Sequence, residues 1–259
     1  MNVISQKYLI WTRPLSNWKD DFKLINAVNG DFSEKVKHLP LTENFMIADW
    51  QPPETFDYAI LTSAKAFSQI LLNPSAVEKL KLCAGIFCVG AKTAQIGIDA
   101  GLSCVFPSPS GGGQVLWDFI QEKLHKNLKK LNFWLPQAEH VAFDFTELIS
   151  ANGGFFTPTI VYKTKIIAYE EILQTFLKLN LPQSAEIVFA FASPRSAGGF
   201  LEFLNQSQLI EITKHNAVFL GIKTAQILQN MPFKKTLLIT ENPSLNLFVE
   251  NIFQHFFQK

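Results

Sequence analysis

IFCVGAKTAQI at residues 86–96 returns at 217–227 as AVFLGIKTAQI, and from the glycine onward the copies differ only at the second position, Ala91 against Ile222. Each copy is an apolar run, a glycine and a helical sequence, which reads as a strand, a tight turn and a helix. A helix that starts at a strand tip turns its free amides and the positive end of its dipole toward whatever lies beyond the sheet. Two such ends can face one ligand.

The neighbouring elements repeat in the same order. Phe56–Leu61 (FDYAIL) is a strand leading into TSAKAF at 62–67, where Ser63 is placed to cap a helix. Glu186–Ala192 (EIVFAFA) is a strand leading through Ser193-Pro194-Arg195-Ser196 into the helix AGGFLEFL. PSPSGGG at 107–113 opens a helix with Val115, Leu116, Phe119, Ile120 and Leu124 on one face, and ENPS at 241–244 opens another. Alternating strands and helices of this length predict two α/β domains, each a parallel sheet covered by helices through right-handed crossovers.

The ends do not fit a simple tandem. The strand at 8–12 (YLIWT) and a helix over 15–28, closed by Asn29-Gly30, precede the first repeat, and the second repeat has no such unit before 186. A discontinuous domain of residues 1–36 and 166–259 follows, with 37–165 inserted as the second domain and extended crossover strands near 37–48 and 157–165. Two antiparallel crossings make a hinge. Within the insert, 131–135 reads as a strand ending at Pro136, and 141–154 as a helix closed by Asn152-Gly153.

Composition removes several functional classes. The 259 residues are 47% apolar, enough for two cores, and no apolar run approaches the roughly 18 residues of a membrane span. The first residues are too broken by polar side chains for a secretory signal, so a cytoplasmic protein is expected. A net charge of +1 argues against nucleic acid as a partner. Cys83, Cys88 and Cys104 form neither a disulfide framework nor a zinc site, and the histidines at 38, 125, 140, 215 and 255 are too scattered for a metal centre.

Ligands of open parallel sheets bind beyond the carboxyl ends of the strands. The polar turns fall there: Thr12-Arg13, Thr62-Ser63, Gly90 to Thr93 with Lys92, Ser108 to Gly113 with Ser110 and Gly111, Ser193 to Arg195, and Gly221 to Thr224 with Lys223. Any one of these hydroxyls is explained as a helix cap, but so many on one side point to a polar ligand. Arg13 and Arg195, the only arginines, both follow strand ends in the discontinuous domain, and a guanidinium there favours an anion. Gly85, Gly90 and Lys92-Thr93 do not make a phosphate loop, because an alanine precedes the lysine and a strand fills the interval between the glycines. Gly111–Gly113 is open to two readings, an anion nest or a flexible lead into the helix. No hydrolase triad spacing occurs, and Asp20-Asp21 and Glu170-Glu171 read as solvated helix charges.

Taken together, TRP at 12–14, LPL at 39–41, TSAKAF at 62–67, VGAKTAQ at 89–95, FPSPSGGGQVL at 106–116, IVYKT at 160–164, FASPRSAGGF at 191–200 and LGIKTAQIL at 220–228 resemble the uroporphyrinogen-III synthase family over nearly the whole chain. The resemblance implies two flavodoxin-like domains joined by a two-stranded ladder. It implies a lyase of tetrapyrrole and haem biosynthesis that needs no metal or cofactor. Such an enzyme acts as a monomer on the small molecule hydroxymethylbilane, with no membrane or nucleic-acid partner. Members close that linear polycarboxylate to uroporphyrinogen III, inverting ring D through a spiro intermediate. Because the bilane also closes on its own to the wrong isomer, the enzyme's main contribution is geometric.

By the same resemblance Tyr162 is the acid that assists loss of the hydroxyl, and its other reading is a packed ladder tyrosine. Thr224 is the second residue expected to affect turnover, and Ser193, Thr62 and Ser63 align with binding positions. Thr12, Arg13, Gly90, Lys92, Thr93, Ser110, Gly111, Arg195, Gly221 and Lys223 complete the expected substrate contacts. The turn at 135–143 departs from the family pattern, with Gln137 and His140 where a glycine and an arginine are usual, so one carboxylate contact is missing from the expected set. The rival reading is a non-catalytic two-domain anion-binding or sensor module.

Overall fold

The computed structural model describes residues 6–30, 32–109, 111–141, 143–207, 211–240 and 244–258. The chain divides into two compact units, residues 1–44 with 165–259 (unit 1) and residues 45–164 (unit 2). Unit 1 opens with β1 (Lys7–Trp11), α1 (Trp18–Asn29), β2 (Val36–His38) and the start of β3 (Thr42–Met46). Unit 2 continues with β4 (Tyr58–Leu61), α2 (Ala64–Ile70), α3 (Pro74–Leu82), β5 (Gly85–Cys88), α4 (Ala91–Asp99), β6 (Cys104–Val105), α5 (Gly112–Lys123), β7 (Asn132–Ala138), α6 (Thr146–Ala151) and β8 (Phe155–Ile166). The chain then returns to unit 1 for α7 (Tyr169–Lys178), β9 (Glu186–Phe191), α8 (Pro194–Gln206), β10 (Asn216–Leu220), α9 (Ile222–Ile227), β11 (Lys235–Ile239) and α10 (Leu245–Phe256).

The sheet of unit 1 runs β11-β10-β9-β1-β2, all parallel, which is the flavodoxin order 2-1-3-4-5. Its strands are apolar throughout because both faces are covered, and successive residues alternate between two cores. Ile10, Ile187, Phe189, Phe191, Ala217 and Phe219 face one side, whereas Leu9, Trp11, Val188, Ala190 and Val218 face the other. In unit 2 the order is β3-β8-β7-β4-β5-β6, and the same alternation sorts Ala59, Leu61, Ile86, Cys88 and Trp134 from Ile60, Phe87, Phe133 and Leu135.

Apart from β3, the two sheets have one spatial order, with β4, β5 and β6 standing for β9, β10 and β11. The positions of β1 and β2 are filled in unit 2 by β7 and β8, which follow the repeated segment instead of preceding it. This is the physical form of the βα unit at 8–30 that the second repeat lacks in sequence.

The crossing stretches resolve into separate elements. Val36–His38 is the edge strand of the unit 1 sheet, registered Leu9↔Val36 through Trp11↔His38, so the chain leaves unit 1 after 44 and not after 36. Leu39 and Leu41 on either side of Pro40 are fully buried in the unit 1 core, which keeps this turn in that unit. β3 then lies beside β8: Ile167 N–H donates to Leu41 O and Ile47 N–H to Val161 O, so the two run antiparallel.

Two local expectations are corrected. β7 runs through Pro136 to Ala138, because β4 flanks it only at Phe133 and Trp134, and beyond that point the missing N–H has one neighbour fewer to serve. The helix expected over 141–154 is only Thr146–Ala151, started where the Asp144 carboxylate accepts the Thr146 N–H. The loop residues Glu241–Pro243 lie outside the described residues.

Candidate active site

Tyr162 is the last residue of β8 in register with β7, opposite Ala138 and just past a bulge. Its ring packs on the core that contains Trp134 and Leu61, and its hydroxyl lies 3.3 Å from Ser63 Oγ. Ser63 sits at the tip of β4 in extended backbone and caps α2, its oxygen accepting Ala66 N–H at 3.4 Å. A strand end, a helix cap and a neighbouring strand thus bring two hydroxyls together in unit 2. If Ser63 donates its own proton to Tyr162, the phenol O–H is left to point at a ligand.

The other unit 2 positions stand at the same edge. Thr62 is half-buried beside Ser63, Lys92 is exposed in the first turn of α4, and Thr93 is buried with its amide donating to Gly90 O at 3.1 Å. Ser110 lies outside the described residues. Of the two readings of the glycine run, packing accounts for Gly113, where an added Cβ would collide with the Phe143 ring. Gly111 is the exposed cap residue of α5.

At the divergent turn Glu139, Lys163 and His140 gather instead of an arginine. Lys163 Nζ lies 3.0 Å from Glu139, His140 Nε2 lies 3.8 Å from the same carboxylate, and Glu139 N–H donates to Tyr162 O. Gln137 is half-buried one residue before the end of β7.

In unit 1 the strand ends are more committed to the fold. Thr12 is buried and donates to Ala190 O at 2.7 Å, and Thr224 is buried and donates to Leu220 O at 2.8 Å, so both hydroxyl protons are spent on strand-tip carbonyls. Ser193 caps α8, accepting Ser196 N–H at 3.2 Å, with the half-buried Arg195 in the first turn. Gly221 takes φ 87° and ψ 150°, a conformation open essentially only to glycine, whereas Gly90 is fully extended. Lys223 and Ile222 follow it, both exposed.

Arg13 does not stand alone at the tip of β1. Its Nη1 lies 2.6 Å from Asp21 Oδ1, and the other oxygen of Asp21 accepts the Trp11 indole N–H at 2.9 Å. Asp21, expected to be a solvated helix charge, is only 3% exposed and anchors the arginine. Sequence spacing carries no sign of this, because Trp11, Arg13 and Asp21 meet only when α1 packs back on β1. Nothing in the sequence singles out His38 either; it stacks on Trp18 and lies 2.8 Å from Arg13 O. Burial lowers its pKa, partly offset by the Arg13 carbonyl and the charge of Asp21, so the ring is neutral at pH 7.

Among the described residues no helix is long and apolar enough to cross a membrane. Both units present hydroxyls, capped helix starts and cations at the carboxyl edges of their sheets, with the Tyr162 phenol at the edge of unit 2 and the His38 imidazole at the edge of unit 1.

The sequence model of the family described as uroporphyrinogen-III synthase HemD matches residues 35–248. No curated protein matched the chain. Among solved structures, the chain is similar to a uroporphyrinogen-III synthetase of Helicobacter pylori at 17% identity and a TM-score of 0.63, covering 96% of this chain and 99% of that one. It is similar also to a mutant uroporphyrinogen III synthase of Thermus thermophilus at 14% identity and a TM-score of 0.51, covering 95% and 98%. At these identities the likeness is one of fold, and it agrees with the paired parallel-sheet architecture. The family match spans most of the chain, and with the strand-edge hydroxyls and cations in place we conclude that the chain belongs to the uroporphyrinogen-III synthase family.

Proposed function

We propose that the chain cyclises hydroxymethylbilane to uroporphyrinogen III with inversion of ring D through a spiro intermediate, as a cytoplasmic monomer in tetrapyrrole biosynthesis. Membership of the family supports the cyclising role. The observation that carries the residue assignment is the Ser63–Tyr162 hydroxyl pair.

In this reading Tyr162 donates its phenol proton to the departing hydroxyl, so that the C–O bond breaks and water leaves. Ser63 holds the phenol from behind by donating to its oxygen. The azafulvene formed is attacked by the substituted carbon of the last ring, the spiro species rearranges and closes, and the proton released from the free α-carbon of that ring on closure restores the phenol. Arg13, Arg195, Lys92 and Lys223 are the cations for the substrate's carboxylates. Thr12 and Thr224 act through the backbone they stabilise, while Thr62, Thr93, Ser193 and the turns at Gly90, Gly111 and Gly221 supply polar contacts and helix-start amides. The rate advantage comes mostly from holding a flexible bilane in one geometry, since spontaneous closure supplies the competing isomer.

Supplying hydroxymethylbilane and separating the I and III isomers tests the function. The III isomer should dominate; a III fraction no higher than the spontaneous background would exclude the synthase and leave a ligand-binding module.

A further inference from the structure

β8 carries one extra residue just before Tyr162. Its register with β7 runs unbroken from Asn132↔Phe155 to Gln137↔Ile160 and then steps to Ala138↔Tyr162, which leaves Val161 without a partner in β7. Along a regular strand successive side chains face opposite sides of the sheet. Phe156 packs on the core that holds Phe133 and Leu135. On the other side Thr159 accepts the Trp134 indole N–H at 2.9 Å, and Val161 is fully buried in the core of Trp134, Ala66, Phe67 and Ile70. Strict alternation would send Tyr162 to the side of Phe156, yet it packs on the side of Val161, facing α2. The bulge puts two consecutive side chains on one face, and it is held from both neighbours: Ile47 N–H donates to Val161 O and Glu139 N–H to Tyr162 O, each at 3.0 Å.

Facing α2 does not by itself bring the phenol to Ser63, because β7 lies between β8 and β4. Ala59 pairs with Trp134, and counting on equally from each brings Ser63 level with Ala138, the partner of Tyr162. Two strand spacings, about 10 Å in all, separate the backbones of Tyr162 and Ser63 along this row. A phenol whose oxygen lies 3.3 Å from Ser63 Oγ therefore passes over the residue in the middle. That residue offers only a methyl group, and the whole row lies within unit 2.

We propose that Ala138 is a positioning residue for the Tyr162 phenol: the bulge at Val161 turns the ring to the face of α2, and the small side chain of Ala138 leaves the passage through which it reaches Ser63. The inference rests on the assignment of Tyr162 as the acid in the synthase reading above. A larger side chain at 138 lifts the ring off the row, breaks the contact with Ser63 and takes the phenol proton out of line with the departing hydroxyl. A misplacement on the order of 1 Å is enough to cost about a hundredfold in rate.

Ala138→Ile tests this, since the position is half-buried near the strand end and isoleucine suits a strand; Ala138→Val carries the same test if isoleucine destabilises the fold. Turnover to the III isomer should fall about tenfold or more with KM changed by less than about threefold, as expected when a catalytic group is misplaced and binding is kept. Placed on Tyr162→Phe, the same substitution should remove less than about threefold more, because both changes act on one phenol. An unaltered kcat in the single variant overturns the proposal, and so do equal losses in the two backgrounds, which would mean a general effect on the fold. The geometry is also read without turnover, by labelling tyrosine Cζ with 13C. Ala138→Ile should move the Tyr162 resonance in the same sense as Ser63→Ala, and an unmoved resonance overturns the proposal. Failure of the synthase reading itself is distinguishable, as a parent protein that makes no III isomer above background while the resonance still moves.

Discussion

Tyr162 Oη and Ser63 Oγ, 3.3 Å apart, have two possible donor directions, and only Ser63→Tyr162 leaves the phenol proton available to a leaving group. Tyr162→Phe should therefore lower turnover to the III isomer by about a hundredfold, the low end for loss of a general acid, with the melting temperature little changed. Unchanged turnover would return Tyr162 to its packing role beside Trp134 and Leu61. Asp21 makes a second prediction at this scale. Asp21→Ala would leave the buried Trp11 indole without an acceptor and Arg13 without its counter-charge, a loss of about 2–4 kcal/mol in urea unfolding. Asp21→Asn, which can still accept from Trp11, should cost clearly less; equal losses would show that the indole bond contributes little. The hydroxyls, cations and Tyr162 were legible as types and positions because each follows a strand run or a recognised motif. Asp21 and His38 were not, because their partners are far along the chain and nothing local distinguishes them from surface residues.

The duplicated element differs between its two copies in a way that six matching letters conceal. Gly221 sits at φ 87° and Gly90 at an extended φ, so Gly221→Ala should cost about 1–3 kcal/mol in thermal or chemical unfolding while Gly90→Ala carries no such backbone strain. Equal losses would mean that packing, not backbone conformation, selects glycine at both turns. The helices that follow differ as well: α4 runs Ala91–Asp99 and α9 only Ile222–Ile227, stopped by a turn at Leu228–Met231.

At the opposite, amino edge of the unit 1 sheet, Glu186 ties neighbouring elements together. It accepts from Asn216 at 2.7 Å and from Lys234 at 3.0 Å, with Lys7 at 3.6 Å. Burial works to raise its pKa, but these partners outweigh that and hold it low; His215 nearby is held low chiefly by burial. Both groups bind fewer protons in the folded state than in the unfolded one between their shifted and ordinary values. Their stabilisation is therefore present at pH 7 and is lost on acidification, below about 6.5 for His215 and below about 4.5 for Glu186. Urea midpoints measured from pH 7.5 to 4 should fall in that order, and Glu186→Gln should flatten the lower part of the curve.

Among the described residues, every hydrophobic cluster lies within one unit: two flank the sheet of residues 1–44 and 165–259, and two flank that of 45–164. Phe67→Ala, which empties a fully buried site in unit 2, should cost about 3–5 kcal/mol. Calorimetry should then show one of two transitions moved downward and the other in place. A single transition displaced as a whole would mean that the units unfold together.

The α/β class, the parallel sheets, the duplicated strand–turn–helix and the family could all be read from the sequence. Those properties are written in local periodicity, glycine and capping positions, and the order of motifs, each of which needs only a few consecutive residues. Tertiary structure decided the rest. It showed that β7 and β8 take in unit 2 the places of β1 and β2, that Val36–His38 belongs to the first sheet, and that β7 continues through Pro136. It showed that Thr12 and Thr224 spend their hydroxyl protons on strand carbonyls, that Arg13 is anchored by a buried aspartate, and that His38 stacks on Trp18 beside the Arg13 carbonyl. Strand order, hydrogen-bond partners and burial depend on which distant segments come together, and a linear pattern of residue types specifies the tendency of each segment without specifying its neighbour.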